Sequence, residues 1–163
     1  MPLTRSRGFT LRPLQMHRNR YLVADITTDI DRCYASDLTT CPFCSLPPQR
    51  LWIETEHAVA LPDAFPLTEG HALVIPRKHV ANIYELAAPE QQAVWELVSE
   101  IREHLRVRLK PDGFNMGLND GIAAGQTVMH AHVHVIPRRS GDVPDPRGGI
   151  RWMIPDKAPY WKR

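Results

Sequence analysis

Between Met129 and Pro137 the chain alternates with period two: Met129, Ala131, Val133 and Val135 take the odd positions, His130, His132 and His134 the even ones. Successive side chains on a strand point to opposite faces, so this stretch predicts a strand with one wholly apolar face and three imidazoles on the other, ended by Pro137. Such a strand constrains the fold more than any other feature here, because its sheet must bury one face and keep the other for chemistry. A lone histidine is usually solvated or satisfied within a core. Three at perfect alternation opposite an apolar face would be a poor way to build a plain strand.

The rest of the chain supplies partners for that apolar face. Pro89 to Leu109 predicts a long helix: Val94, Leu97, Val98, Ile101, Leu105 and Leu109 recur at helical spacing, Pro89 suits the first turn, and Pro111 stops the run. Leu51 to Leu61 reads as two short strands, and Gly70 to Pro76 as a buried one. Gly113 to Asn119 alternates, with Phe114, Met116 and Leu118 expected against the helix and Asn119 pointing the other way. These elements predict an α+β fold: an antiparallel sheet of about five strands with a long helix across one face and a site on the other.

The 163 residues suffice for one domain and not for two catalytic ones. With 20 Lys+Arg against 18 Asp+Glu the net charge is +2, unevenly placed, since Arg5, Arg7, Arg12, Arg18 and Arg20 all precede the first acid, Asp25. No basic stripe interleaved with aromatics follows this tail, which weighs against nucleic-acid binding as the main function. No apolar run approaches the roughly 20 residues of a membrane span, and the tail lacks the apolar core of a secretory signal. Three cysteines, Cys33, Cys41 and Cys44, are too few and odd for a disulfide framework, so the expected location is the reducing cytoplasm.

Two chemistries suit the alternating histidines. Imidazoles at i and i+2 can converge on one metal ion, or a neutral imidazole can attack phosphorus, since an ordinary pKa of about 6.5 leaves the ring nucleophilic at neutral pH. The neighbours favour the second: Gly121, Gly125 and Gln126-Thr127 make a flexible turn with amide and hydroxyl donors, suited to phosphate oxygens. Cys41-Pro42-Phe43-Cys44 also has two readings. A redox pair needs a helix N-terminus to lower its thiol pKa, and Pro47-Pro48 forbids a continuing helix. Half of a tetrahedral zinc site, completed by histidines, suits the spacing better.

Asn119-Asp120-Gly121 followed by Gly125-Gln126-Thr127-Val128-Met129-His130-Ala131-His132-Val133-His134-Val135-Ile136-Pro137-Arg138 resembles the signature of the histidine triad (HIT) family. Leu61-Pro62-Asp63-Ala64-Phe65-Pro66, then Gly70-His71-Ala72-Leu73-Val74-Ile75-Pro76-Arg77-Lys78-His79, is similar to that family's nucleoside-binding stretch. The likeness covers about Cys41 to Arg138. It implies a homodimeric enzyme with a nucleotide substrate, cleaving a phosphoanhydride or phosphoramidate, dinucleoside polyphosphates included, through a covalent nucleotidyl-histidine. His132 would be the nucleophile, His134 a donor to the α-phosphate or bridging oxygen, and Thr127 a donor near the leaving group. Asn119 and Gln126 would contact phosphate oxygens and Asp63 the ribose hydroxyls. Some branches, and the related galactose-1-phosphate uridylyltransferases, carry a structural zinc (Zn2+) whose ligands match Cys41, Cys44, His79 and His130. The uridylyltransferase motif has glutamine where this chain has His134, which favours a hydrolase over transfer to a phosphate or sugar-phosphate acceptor; a nucleotide-sensing binding module is the reading from another class.

The expected organisation is therefore a basic lead-in over 1–40, a domain over 41–138 with the cysteine pair at its start, and a C-terminal arm over 139–163. In that arm Arg147-Gly148-Gly149-Ile150-Arg151-Trp152 is open to two readings: a packed arm, or one bringing an arginine to a polyphosphate or Trp152 to the pocket. His71 and His104 are expected to be solvated and Cys33 a spare buried thiol; His17 and His57 carry no assignment.

Overall fold

The structure, a computed structural model, describes residues 41–162; the basic lead-in, His17 and Cys33 lie outside them. Five strands, β1 (Ile53–Glu54), β2 (Ala58–Pro62), β3 (Ala72–Pro76), β4 (Gly113–Gly117) and β5 (Val133–Arg138), form one sheet in the order β1-β2-β3-β5-β4. Every neighbouring pair is antiparallel. One long helix, α1 (Ala88–Leu109), crosses β2, β3 and β5.

Helix α1 starts where Glu90 reaches back to accept the Ala87 N–H at 2.8 Å, and ends at Lys110, whose left-handed φ of 47° precedes Pro111. Its buried stripe, Val94, Leu97, Val98, Ile101 and Leu105, packs on Ala58, Ala60, Ala72, Val74, Ala131, Val133 and Val135. Burying a side chain of this size contributes about 2 kcal/mol, so this layer holds the sheet to the helix. The other face carries Val59, Leu61, Leu73 and Ile75 beneath Phe43, Leu46 and Leu51. That second layer is small, and beyond it the face belongs to the histidines.

Two expectations about strands are corrected. β5 begins at Val133, not at Met129, so His130 and His132 precede the ladder. Continuing the Leu73↔His134 register would set Pro76 opposite Ala131, and proline has no N–H to give; Ala131 instead donates to the carbonyl of Val80 at 2.7 Å. β4 ends at Gly117, and Met116, expected against the helix, is 44% exposed on this edge strand. Phe114 and Leu118 do pack on the core.

Candidate active site and metal centre

The parity of β5 carries past its first residue: Ala131, Val133 and Val135 lie in the helix-side core, so the histidines face the other way. They divide among three different surroundings. His130 is fully buried, and its Nε2 lies 2.8 Å from the carbonyl oxygen of Pro76. A carbonyl only accepts, so the proton sits on Nε2 and Nδ1 presents its lone pair to Cys41 Sγ at 3.4 Å and Cys44 Sγ at 3.6 Å. His79 Nδ1 is 3.1 Å from Cys44 Sγ. These four donor atoms all lie within 4.8 Å of one another. Zinc bond lengths of about 2.0–2.3 Å place the corners of a tetrahedron roughly 3.3–3.8 Å apart, so two sulfurs and two nitrogens at these spacings fit that ion. Burial holds His130 down near a pKa of about 4, in the neutral form a metal requires. Burial and the adjacent Cys41 push the Cys44 thiol up to about 11; two thiolates this close are stable together only with a cation between them.

His132 is buried, with its Nδ1 2.8 Å from the carbonyl oxygen of His130. The same donor rule puts its proton on Nδ1 and leaves Nε2 with a free lone pair. Burial holds its pKa below the ordinary histidine value against the opposing pull of that hydrogen bond and of Asp63, so the ring is neutral at pH 7. The edge-on Phe43 ring, centroids 5.2 Å apart, restrains its plane.

His134 belongs to a chain of three groups. The Leu67 N–H donates to His71 Nδ1 at 3.2 Å, which fixes the His71 proton on Nε2; that nitrogen lies 3.0 Å from His134 Nδ1. His134 Nδ1 therefore accepts, and its own proton sits on Nε2, turned away from the chain and free to donate. Asp63 Oδ2, 3.4 Å from His71 Nε2 and 3.7 Å from His134 Nδ1, shares the same proton, while Oδ1 accepts the Phe65 N–H at 2.7 Å. Burial, then the neighbouring His132 and His71, lowers the His134 pKa to about 4 despite Asp63.

Asp63, His71 and His134 are close enough to hold an ion as well. The Leu67 amide argues against it. A metal on His71 Nε2 would move the ring proton to Nδ1 and set it head-on against an N–H, whereas His130 is arranged the opposite way, with its spare nitrogen donated to a carbonyl. The donors of the first cluster suit a cation, whereas those of the second are arranged around a shared proton.

The glycine turn ahead of the histidines has positive φ at Gly121 (84°) and Gly125 (90°). Gln126 is buried inside it: its Oε1 accepts the Gly121 N–H at 2.8 Å, and its Nε2 donates to the carbonyls of Ala81 at 2.9 Å and Val128 at 3.1 Å. The structure thus ties this side chain to backbone of its own turn and of the Ala81 segment, with Asn119, bonded from Nδ2 to the Gly125 carbonyl at 3.4 Å, and the exposed Thr127 at the turn's surface. His71 departs from its expected solvated position. It is 3% exposed, not solvated, and belongs to the site. The sequence signal was its parity with Leu73 and Ile75, which face the histidine side.

The HIT domain pattern matches residues 47–141. An uncharacterised HIT-like protein of Mycoplasma genitalium is 46% identical over 85 residues, 52% of this chain and 60% of that protein. A bis(5'-adenosyl)-triphosphatase of Saccharomyces cerevisiae is 31% identical over 115 residues, 69% of this chain and 52% of the enzyme. The chain therefore spans less than two thirds of the length of either relative. Among solved structures, a zinc-bound histidine triad family protein from Mycobacterium smegmatis superposes with a TM-score of 0.60 at 34% identity, covering 67% of this chain and 86% of that one. The fold, the three histidines on one face of their sheet, and a domain match over more than half its length together make this chain a member of the HIT family.

Proposed function

We propose that this chain is a nucleotide hydrolase that cleaves a nucleoside phosphoanhydride or phosphoramidate in two displacements through His132. In the first, the Nε2 lone pair of His132 attacks the α-phosphorus. A phosphorus–nitrogen bond forms, the bond to the leaving group breaks, and the Nε2–H of His134 meets the charge developing on the departing atom. In the second, water attacks the same phosphorus, the phosphorus–nitrogen bond breaks, and a nucleoside monophosphate leaves with His132 restored. Asp63 accepts from ribose hydroxyls through the oxygen positions its neighbours leave open, and Asn119 and Thr127 receive the phosphate oxygens at the glycine turn. The observation that carries this reading is the His132 Nδ1 to His130 carbonyl hydrogen bond of 2.8 Å, which presents a neutral imidazole with its lone pair outward.

Cys41, Cys44, His79 and His130 would hold zinc, which as a closed four-ligand site supplies structure, not catalysis. Two observations support it: the proton of His130 is committed to Pro76, and the donor spacing suits the ion. Because His130 is tied at Nδ1 to that cluster and its carbonyl orients His132, the cluster is mechanically joined to the nucleophile.

The test is intact-protein mass spectrometry after brief incubation with adenosine 5′-phosphoramidate and with diadenosine tetraphosphate, following released AMP beside His132→Ala. An adenylyl adduct or AMP release lost in the variant is the expected result. Nucleotide binding without adduct or turnover in the wild type would replace the hydrolase with a binding module, and turnover seen only when phosphate or a sugar phosphate is added would make it a transferase.

A further inference from the structure

The C-terminal arm returns to the histidine face. Gly117 pairs directly with His134, and opposed residues of an antiparallel pair share a face about 5 Å apart, so a side chain at 117 would stand beside the His134 ring. Glycine leaves that place open and Ile150 fills it: a Cβ built on Gly117 would meet Ile150 Cδ1 at 3.5 Å. One step back along the same strand face, Gly149 lies against Asn115, whose Oδ1 is bonded by Arg138, itself clamped to Asp142 at 2.6 and 2.8 Å. The arm thus runs along the site face of β4 toward His134.

The two arginines that flank Ile150 are engaged within the arm. Arg147 bonds Asp145 at 2.8 and 2.9 Å and stacks on Trp161, while Arg151 donates to the Lys157 carbonyl at 2.8 Å and lies over Tyr160. Trp152 is pinned through Nε1 to the Arg147 carbonyl at 2.8 Å. What the arm sets beside Gly117 is the apolar Ile150. Gly149–Met153 is a 3₁₀ turn, in which residues three apart eclipse, so Met153 stands on the same side as Ile150, about 6 Å further along. Ile150 is 62% and Met153 70% exposed, although each is a large apolar side chain on an arm otherwise braced by its own hydrogen bonds.

Resting on the hydrolase reading, we propose that Ile150 and Met153 form the leaving-group lip of the pocket, an apolar surface against which the departing group packs. It lies on the His134 flank, where the departing atom is protonated. The lip selects substrates whose leaving group has an aromatic or apolar body over those that release a small polar one.

The test compares kcat/KM of the full chain for the p-nitrophenyl ester of AMP and for adenosine 5′-phosphoramidate, which share a nucleotide and differ in the group released. The ratio of aryl ester to amide is expected to fall about tenfold in Ile150→Ala and in the isosteric Met153→Gln, and to recover within about twofold in Met153→Leu, the scale of one apolar contact in a specificity pocket. A ratio that stays put, or that falls equally in Met153→Gln and Met153→Leu, overturns the proposal. Calorimetry with AMP and with adenosine 5′-benzylphosphonate, which cannot be hydrolysed, separates this from the parent reading. Should the wild type turn over neither substrate, benzylphosphonate binding that is tighter than AMP and weakened by Met153→Gln would keep the lip while ending the hydrolase; equal binding of the two would end the lip.

Discussion

His71 Nε2 and His134 Nδ1 lie 3.0 Å apart, joined across 63 residues of sequence by a hydrogen bond whose direction is dictated from outside the pair, by the Leu67 amide on the far side of His71. That amide cannot accept, so every proton downstream of it has one place to be. The consequence is a His134 that arrives at the site already in the tautomer with Nε2–H outward, at no cost in reorganisation when charge develops there.

Replacing His71 with alanine therefore removes the group that fixes His134 while leaving His132, the proposed nucleophile, in place. The expected outcome is a fall in kcat of about 10²-fold with KM changed far less, a loss at the lower end of that for a proton donor. His71→Gln, which can donate from its amide to His134, should recover part of it. Steady-state kinetics of the two variants decide the matter; a His71→Ala enzyme changed only in KM would show that His71 serves binding.

How much of this was legible beforehand depends on range. The parity of His130, His132 and His134 and the stripe of α1 are local periodicities, and both appear in the fold as read. The pairing of Cys41 with His130 spans 89 residues, and no spacing rule reaches that far; only family resemblance brought those four residues together. Errors came where tertiary context overruled a local pattern. Pro76 stopped the ladder short of His132, and the sheet edge left Met116 in solvent. His71 looked solvated because one histidine at the head of an apolar strand carries no period of its own.

The pH dependence of the reaction follows from burial. His132 and His134 both have pKa values below the ordinary 6.5, His134 at about 4, so the neutral forms persist as pH falls. The acid limb of kcat/KM should have its midpoint below 6.5, from a pH profile on a substrate whose own groups do not titrate there. Stability moves in the same window. A histidine with a depressed folded pKa binds protons more weakly folded than unfolded, so its contribution is whole above about 6.5, is lost as pH falls toward 4, and levels off below. An acid limb at or above 6.5 would contradict a reaction carried by the buried His132.

Zinc should be stoichiometric with the purified chain and lost in Cys41→Ser or Cys44→Ser, as read by elemental analysis. Cobalt put in its place should show the intense visible bands of a tetrahedral thiolate site. A site occupied a thousandfold above its dissociation constant adds about 4 kcal/mol, and each kcal/mol moves Tm by about 2–4 °C in a chain of this size, so chelation should lower Tm on the order of 10 °C. Metal-free protein with Cys41→Ser as stable as wild type would remove the ion from the account. Because His130 links the cluster to His132, activity should fall on chelation too.

Gly70 offers a test of how the fold holds the site. Its φ of +84° is one that L side chains rarely adopt, and a Cβ there would meet Leu109 Cδ1 at 2.5 Å, Leu105 Cδ2 at 3.1 Å and Pro137 Cγ at 3.3 Å. The last turn of α1 thus closes directly on the backbone that precedes His71. Gly70→Ala combines a strained backbone with overpacking, each of order 1–3 kcal/mol, and should lower Tm by several degrees, measured by thermal denaturation. Leu109→Ala in the same chain removes the nearest clash but not the strain, so the double variant should recover part of the loss relative to the sum of the single ones. Strict additivity would mean that the helix end and the His71 segment do not meet as described. If they do, Gly70→Ala should also reproduce in milder form the kcat loss of His71→Ala, since the residue it displaces is the one that sets the tautomer of His134.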